Sequence, residues 1–399
     1  MSYIYLIENS VRVNTMKYLV LGSGLMGRAV AYDLLMHKDT EEIRLADIDY
    51  KRAKSIASWL KDPRVKPMQV DVSNEEQVLN AMVEIDTVIG CVSYTYNYQL
   101  TKAAINSGAN FCDLGGNNAV VSKQFSLFSE AKRAQVTVMP DCGLAPGVAS
   151  VIVTAGAKQF DSLEEIHIRV GGLPQHPKPP LNYSLIFSVQ GLTNEYIEIA
   201  EVIRDGKVVL VEPLTEIEEI EFPKPFGKLE AFQTSGGTST LPKTFLGKVK
   251  TLDYKTIRYK GHCEKMKAML DIGFKNDKEI DFNGCKISPR KFFEKILVDK
   301  LTDENNKDVT LVRVEIIGYQ NEIKKKLTYQ IIDYYDEKNN LSSMMRMTAF
   351  PTAIIARMMA LSEIQLDGVI TQEFNVPPEK MLEELRKRDI KIEEKWEQL

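Results

Sequence analysis

The sequence predicts an α/β chain in which a parallel-sheet domain is interrupted by an inserted α+β domain built on a largely antiparallel sheet. Three observations carry this. Apolar strand segments and amphipathic helix segments alternate from Met16 to about Gly143, as in βαβ units. From 144 to about 346, strand segments follow one another with few helices between them, the mark of an antiparallel sheet. From about 347 to 399 the chain turns helical again, which returns it to the first domain.

In the first part, strands read at 17–22, 43–47, 67–70, 86–92, 109–113 and 135–139. Helices read at 25–37, 50–60, 74–83, 96–107 and 122–133. Asp49 and Ser73 read as helix N-caps, Ser73 with Glu76 three residues on as a capping box. The first strand runs into Gly22-Ser23-Gly24-Leu25-Met26-Gly27. Gly22 permits the tight turn, Gly24 lets a pyrophosphate approach the backbone, and Gly27 lets the helix pack close to the strand. The helix N-terminus then offers free N–H groups to the phosphates, with Leu25 and Met26 beside them. Asp47 ends the second strand, where a carboxylate accepts hydrogen bonds from a ribose 2′-OH and repels a 2′-phosphate. The pattern predicts a Rossmann-type domain that binds NAD rather than NADP; a flavin would use a similar fingerprint.

In such a sheet the ligand lies over the carboxyl ends of the strands. Asp71 and Val72 end the third strand, toward the adenine; Val92 and Ser93 end the fourth, toward the pyrophosphate and nicotinamide ribose. Asp113-Leu114-Gly115-Gly116-Asn117 ends the fifth, and Pro140-Asp141-Cys142-Gly143 the sixth, with Cys142 counted among the cofactor contacts.

The inserted part opens with a helix at 147–160 and a strand at 165–171, then a proline-rich loop from Pro174 to Pro180. Strands follow at 208–212, 218–222, 229–233, 249–259, 309–319 and 326–335, and helices at 262–273 and 288–300. The last helices read at 352–362 and 377–388, with Pro378 suited to a first turn.

Bulk properties narrow the function. The 399-residue chain carries a net charge of −4 with acids and bases interspersed, so no basic face points to nucleic acid. No apolar stretch approaches the roughly 18 residues of a membrane span. Residues 1–15 precede a second methionine, Met16, and read as an extension without signal-peptide character: an extra strand, or the product of an upstream start. Five dispersed cysteines without CxxC spacing imply a reducing cytoplasm. Four histidines without ligand spacing imply no structural zinc.

Several side chains are candidates for chemistry. Asp141, at a strand end where the chain crosses between domains, reads either as a proton acceptor or as a turn carboxylate capping Gly143. Asp113 faces the same cleft or binds the backbone of the glycine pair after it. Tyr94 and Tyr96 either wall a substrate slot or pack at a helix start. Thr234, Ser235 and Thr238, around Gly236-Gly237, offer hydroxyls and N–H groups to an anion, or form a hairpin turn. Arg258 is suited to hold a carboxylate through a bidentate guanidinium, or to form a surface ion pair. His262 relays a proton, orients Arg258, or caps a helix.

The glycine fingerprint, Asp113-Leu114-Gly115-Gly116, the run from Pro140 through Cys142 to Gly147, and the late Gly368-Val369 and Pro377-Pro378-Glu379 together resemble the saccharopine dehydrogenase-like superfamily. Two further runs, Thr234-Ser235-Gly236-Gly237-Thr238-Ser239-Thr240 and Tyr254-Lys255-Thr256-Ile257-Arg258-Tyr259-Lys260-Gly261-His262, resemble its L-lysine 6-dehydrogenases. That resemblance implies NAD-dependent oxidative deamination of the ε-amine of lysine to allysine, which cyclises to Δ1-piperideine-6-carboxylate, with release of ammonia. It also implies a homodimer or dimer-based oligomer. The alternatives are a C–N oxidoreductase of the saccharopine or carboxynorspermidine dehydrogenase type and, from another class, a non-catalytic NAD-binding sensor.

Overall fold

The computed structural model of the chain describes residues 15–303, 307–364 and 367–399. The proposed extension at 1–15 therefore lies, except for Thr15, outside the described residues.

The first part supplies β1 (Met16–Leu21), β2 (Thr40–Asp47), β3 (Val65–Gln69), β4 (Thr87–Gly90), β5 (Asn110–Asp113) and β6 (Thr137–Met139). They pair in parallel in the order β6-β5-β4-β1-β2-β3. Helices cover both faces, so the middle strands are apolar throughout: Tyr18, Leu19, Val20 and Leu21 are fully buried. The order reverses between β1 and β4, and a crevice opens where their carboxyl ends part.

Local chemistry sets the helix starts. Asp49 caps the helix Tyr50–Leu60, accepting from the N–H of Lys51 at 2.9 Å. The other expected cap differs: Asn74 caps Glu75–Met82 by accepting from the Gln77 N–H, while Ser73 donates to Asp71 within a turn. The helix expected at 122–133 is two, Asn118–Phe125 and Phe128–Arg133. Asn117 caps the first of them, and the break at Ser126-Leu127 has no glycine or proline to announce it.

The second part supplies β7 (Ser162–Pro174), β8 (Ala200–Arg204), β9 (Lys207–Val211), β10 (Glu218–Phe222), β11 (Gly227–Gln233), β12 (Thr251–Arg258), β13 (Ile280–Phe282), β14 (Cys285–Ile287), β15 (Asp308–Gln320) and β16 (Ile323–Tyr334). Their main sheet runs β10-β11-β12-β7-β15-β16, antiparallel except for the parallel pair β12 and β7. The β8–β9 hairpin attaches to β12, and β13–β14 form a hairpin of their own.

The C-terminal segment divides between the two sheets. The helix Ser343–Ala360 packs on the helix Leu25–Leu35 and on β4 and β5. Then β17 (Gly368–Val369) joins the first sheet beside β6. The last strand departs from the expectation that 347–399 returns wholly to the first domain. β18 (Glu393–Gln398) adds to the second sheet, antiparallel to β16. Trp396 anchors it, opposite Leu327 in register and with its ring 5.3 Å from that of Phe160.

One apolar core runs through both parts, from Tyr18 and Ile43 through Val148–Val153 to Ile168, Val312 and Val314. The two walls of the crevice are thus seated on one packed body. Among the described residues, no helix is long and apolar enough to cross a membrane.

Candidate active site

A cleft of about 770 Å³ lies between the carboxyl ends of β1 and β4 and the β7–β12 region of the second sheet. Gly24, Leu25, Met26, Val92 and Ser93 line its first-domain wall. The turn is built for a phosphate-bearing ligand. A Cβ on Gly27 would meet the Gly22 carbonyl oxygen at 1.8 Å, so the helix start sits tight against the turn. A Cβ on Gly24 would meet nothing within 4 Å, because Gly24 faces open cleft. No side chain caps this helix N-terminus, which leaves its N–H groups to a ligand.

Asp47 lies one strand away, 8% exposed. Its Oδ2 accepts from the N–H and hydroxyl of Ser23 at 2.9 and 2.8 Å, and its Oδ1 from the N–H of Asp49. Burial raises its pKa, but these donors outweigh burial and hold it below the usual carboxylate range. A charged Asp47 thus stands at the glycine turn, with the exposed Arg52 guanidinium 3.8 Å away. These residues fit a dinucleotide.

On the other side of β1 from Asp47, just past the end of β6, sits Asp141, 2% exposed and with φ of 63°. That left-handed backbone is unfavourable for a residue with a Cβ. It is held by Gln372, whose side-chain amide donates to the Pro140 and Asp141 carbonyls, the latter at 2.5 Å. Ser239 donates to Asp141 Oδ2. The other oxygen, Oδ1, lies where a Cβ on Gly115 would stand, 1.9 Å from it, so only glycine admits the carboxylate there. Burial, then the neighbouring Asp113 and Glu373, push Asp141 up to about 7 against the pull of Ser239. Such a group exchanges a proton near neutrality.

Arg258, at the end of β12, also lines the cleft. Its Nε donates to the Tyr196 hydroxyl at 2.9 Å and its Nη1 to the Ile257 carbonyl at 2.9 Å. Nη2 has no protein partner among the described residues. Behind it, His262 Nδ1 meets the Leu181 carbonyl at 2.9 Å, so Nδ1 carries the proton. Nε2 therefore accepts from the Tyr196 hydroxyl at 3.1 Å. Burial, then Arg258, push His262 down to about 3. Kept neutral by burial and by the Arg258 charge, the ring holds Tyr196, which in turn holds the guanidinium.

The structure places the sequence candidates unequally. Asp141, Arg258, Ser235, Tyr94, Gly24, Leu25, Met26, Val92 and Ser93 line the cleft. Gly22, Gly27 and Asp47 shape its floor without lining it. Asp113 is a correction: it is fully buried away from the cleft, bound by Gln124 Nε2 and by the Gly115 and Asp141 N–H groups. It braces the two loops and touches no ligand space. His262 is a second correction: it does not line the cleft, and its two ring nitrogens meet Tyr196 and the Leu181 carbonyl. Thr234 pairs with the Thr256 hydroxyl, and Thr238 donates to the Glu201 carbonyl, so both hold loops. Tyr96 and Val72 pack on the apolar core, and Asp71 closes the Ser73 turn. Cys142 is buried, its thiol directed to the Met139 carbonyl. Tyr254 and Thr256, quoted above only as part of the run ending at His262, line the cleft, as does Glu195, which the sequence did not single out.

Residues 18–139 match the model of the saccharopine dehydrogenase NADP binding domain, and residues 143–390 that of the saccharopine dehydrogenase C-terminal domain. The chain belongs to the saccharopine dehydrogenase family. A relative from this family, the NADP(+)-dependent, L-glutamate-forming saccharopine dehydrogenase of Schizosaccharomyces pombe, is 24% identical over 270 residues. That match covers 64% of this chain and 57% of the relative, so the chain aligns with little more than half of it. Carboxyaminopropylagmatine dehydrogenase of Synechocystis sp. is 20% identical over 376 residues, 90% of this chain and 92% of that one. The apo saccharopine dehydrogenase (L-Glu forming) of Saccharomyces cerevisiae superposes with a TM-score of 0.78 at 19% identity, over 96% of this chain and 100% of that chain. The family fold is therefore shared across both sheets.

Proposed function

We propose that this chain is a nicotinamide-dependent C–N oxidoreductase acting on an amino acid, and that its substrate is L-lysine, oxidised at the ε-carbon. The observation that carries the substrate is the charge set of the cleft. Among the described residues, its lining holds one cation, Arg258, and two carboxylates, Asp141 and Glu195. One guanidinium suits one carboxylate. Apolar side chains such as Leu144, Pro146, Ile186 and Met344 wall the space around them and suit a chain of methylenes.

The residues divide the work. The ε-ammonium of lysine, with an ordinary pKa of about 10.4, must lose a proton before its nitrogen can release electrons. Asp141 accepts that proton on Oδ1 while Ser239 holds Oδ2. A bound nicotinamide supplies the hydride acceptor. Water then adds to the substrate imine, and ammonia leaves as the aldehyde forms. Asp141, deprotonated again through solvent, is placed to take a proton from that water.

A second reading is a saccharopine-type substrate, which the names of the relatives favour. Saccharopine brings further carboxylates, for which the described cleft lining offers no further cation. The readings separate by absorbance at 340 nm with lysine, saccharopine and carboxylated polyamines in turn. Reduction with lysine and none with saccharopine is expected. Turnover of saccharopine alone would transfer the assignment to the second reading, and silence with every amine would leave a cofactor-binding protein.

For the cofactor, Asp47 favours NAD, whereas the name of the Schizosaccharomyces pombe relative favours NADP, whose 2′-phosphate would find the Arg52 guanidinium beside Asp47. Replacing Asp47→Ala should weaken NAD by about 10- to 100-fold, the loss of a charge-assisted hydrogen bond. It should also narrow the gap between NAD and NADP in a fluorescence titration. Unchanged affinity for both would remove Asp47 from the ribose site.

A further inference from the structure

Glu195 is the one carboxylate in the described cleft lining that the reaction does not use. It ends the helix Val189–Glu195, and its own carbonyl is fixed by the Ser235 N–H at 3.1 Å. Its carboxylate takes no hydrogen bond or ion pair from the described residues, although it is a half-buried group lining the cleft. Burial pushes it up to about 7, and the nearby Arg258 charge pulls against that shift. Such an acid is costly to ionise unless a cation joins it. The Arg258 Nη2 group likewise lacks a partner among the described residues, and its aim is set by the donor chain through Tyr196 to His262 and the Leu181 carbonyl. The two unfilled groups are neighbours: Glu195 directly precedes Tyr196, whose hydroxyl holds Arg258 Nε at 2.9 Å, and both line the cleft. Asp141 has different charged neighbours, Asp113 and Glu373.

We infer that Glu195 and Arg258 form a clamp for a zwitterionic α-amino acid head group, with Glu195 taking the α-ammonium and Arg258 the α-carboxylate. The inference rests on the amino-acid dehydrogenase reading and adds a substrate class to it: the cleft requires both head charges, so ω-amino acids and simple diamines are excluded. Each new contact is charge-assisted on both sides and shielded from bulk water, which makes it stronger than a surface pair. The Tyr196–His262 chain acts on substrate only through Arg258, so both are positioning residues.

Calorimetric binding to the full chain tests the clamp without turnover. The probes are L-norleucine, which has both head charges and no ε-amine, and hexanoate, which lacks the α-ammonium. Wild type should bind L-norleucine at least tenfold tighter than hexanoate. Glu195→Gln should reduce that ratio to near one by weakening L-norleucine alone. Glu195→Asp, which keeps the charge on a shorter arm, should retain an intermediate ratio and covers the case in which the glutamine variant fails to fold. Equal binding of the two ligands by wild type would overturn the clamp, as would an undiminished ratio in either variant. The binding ratio is independent of whether any amine is oxidised. A protein that discriminates the ligands yet reduces no cofactor keeps the clamp and loses the enzyme.

Discussion

Replacing Arg258→Met is expected to lower kcat/KM for lysine by about 30- to 5,000-fold. That range is the roughly 2–5 kcal/mol lost when one partner of a buried, hydrogen-bonded charge pair is truncated. The effect should fall on KM rather than on kcat, because the charges that act on Arg258 are those of Tyr196, Tyr183 and Glu195, while Asp141 answers to Asp113 and Glu373. The decarboxylated analogue 1,5-diaminopentane is the control. It offers Arg258 nothing, so wild type and variant should turn it over equally poorly. Methionine keeps the aliphatic length between Tyr183 and Tyr196, whose rings flank the guanidinium at 4.8 and 5.9 Å. The Tyr196 hydroxyl still donates to His262 once the arginine is gone, so the fold should persist. Steady-state kinetics with both substrates check this. An equal loss on lysine and diaminopentane would mean that Arg258 supports the cleft without holding a carboxylate.

Much of this architecture was legible because it is local. The glycine turn and its strand follow from local sterics, and the βαβ spacing sets Asp47 beside Ser23 on the next strand. Asp49 caps its helix within three residues. Asp141 and Asp113 were not separable in the same way, since both are acids at strand ends followed by a glycine. What divides them is direction. Asp113 turns inward to Gln124, whereas Asp141 takes a left-handed backbone and faces the cleft. His262 and Glu195 were harder still. His262 takes its role from Tyr196 and Leu181, and Glu195 from Arg258, all distant in sequence. Glu195 ends a short helix of mixed composition and carries no motif. The strands β17 and β18 were missed for a related reason. One is two residues long, and the other is an acidic run that forms a strand only because Trp396 finds Leu327 and Phe160.

Replacing Asp141→Asn is expected to lower kcat by about 10²- to 10⁴-fold, the usual share of a positioned general base. The wild-type rate should rise with pH through about 7, because Asp141 is protonated and idle below that value and charged above it. The variant should lose that limb from kcat. Glu195 also titrates at about 7, but its ionisation governs head-group binding and should appear in KM. Stability moves the other way. An ordinary aspartate ionises at about 3.9 in the unfolded chain, so between about 4 and 7 the folded state holds a proton that the unfolded state has lost. Folding stability therefore declines as pH rises across that window, and the asparagine variant would lack this contribution. At pH 8 the variant should melt no lower than wild type while turning over far more slowly. The carboxamide oxygen still accepts from Ser239, so the loop keeps its shape. A rate loss with a matching fall in melting temperature would instead mark Asp141 as a loop brace like Asp113, and the proton would have to leave by another group.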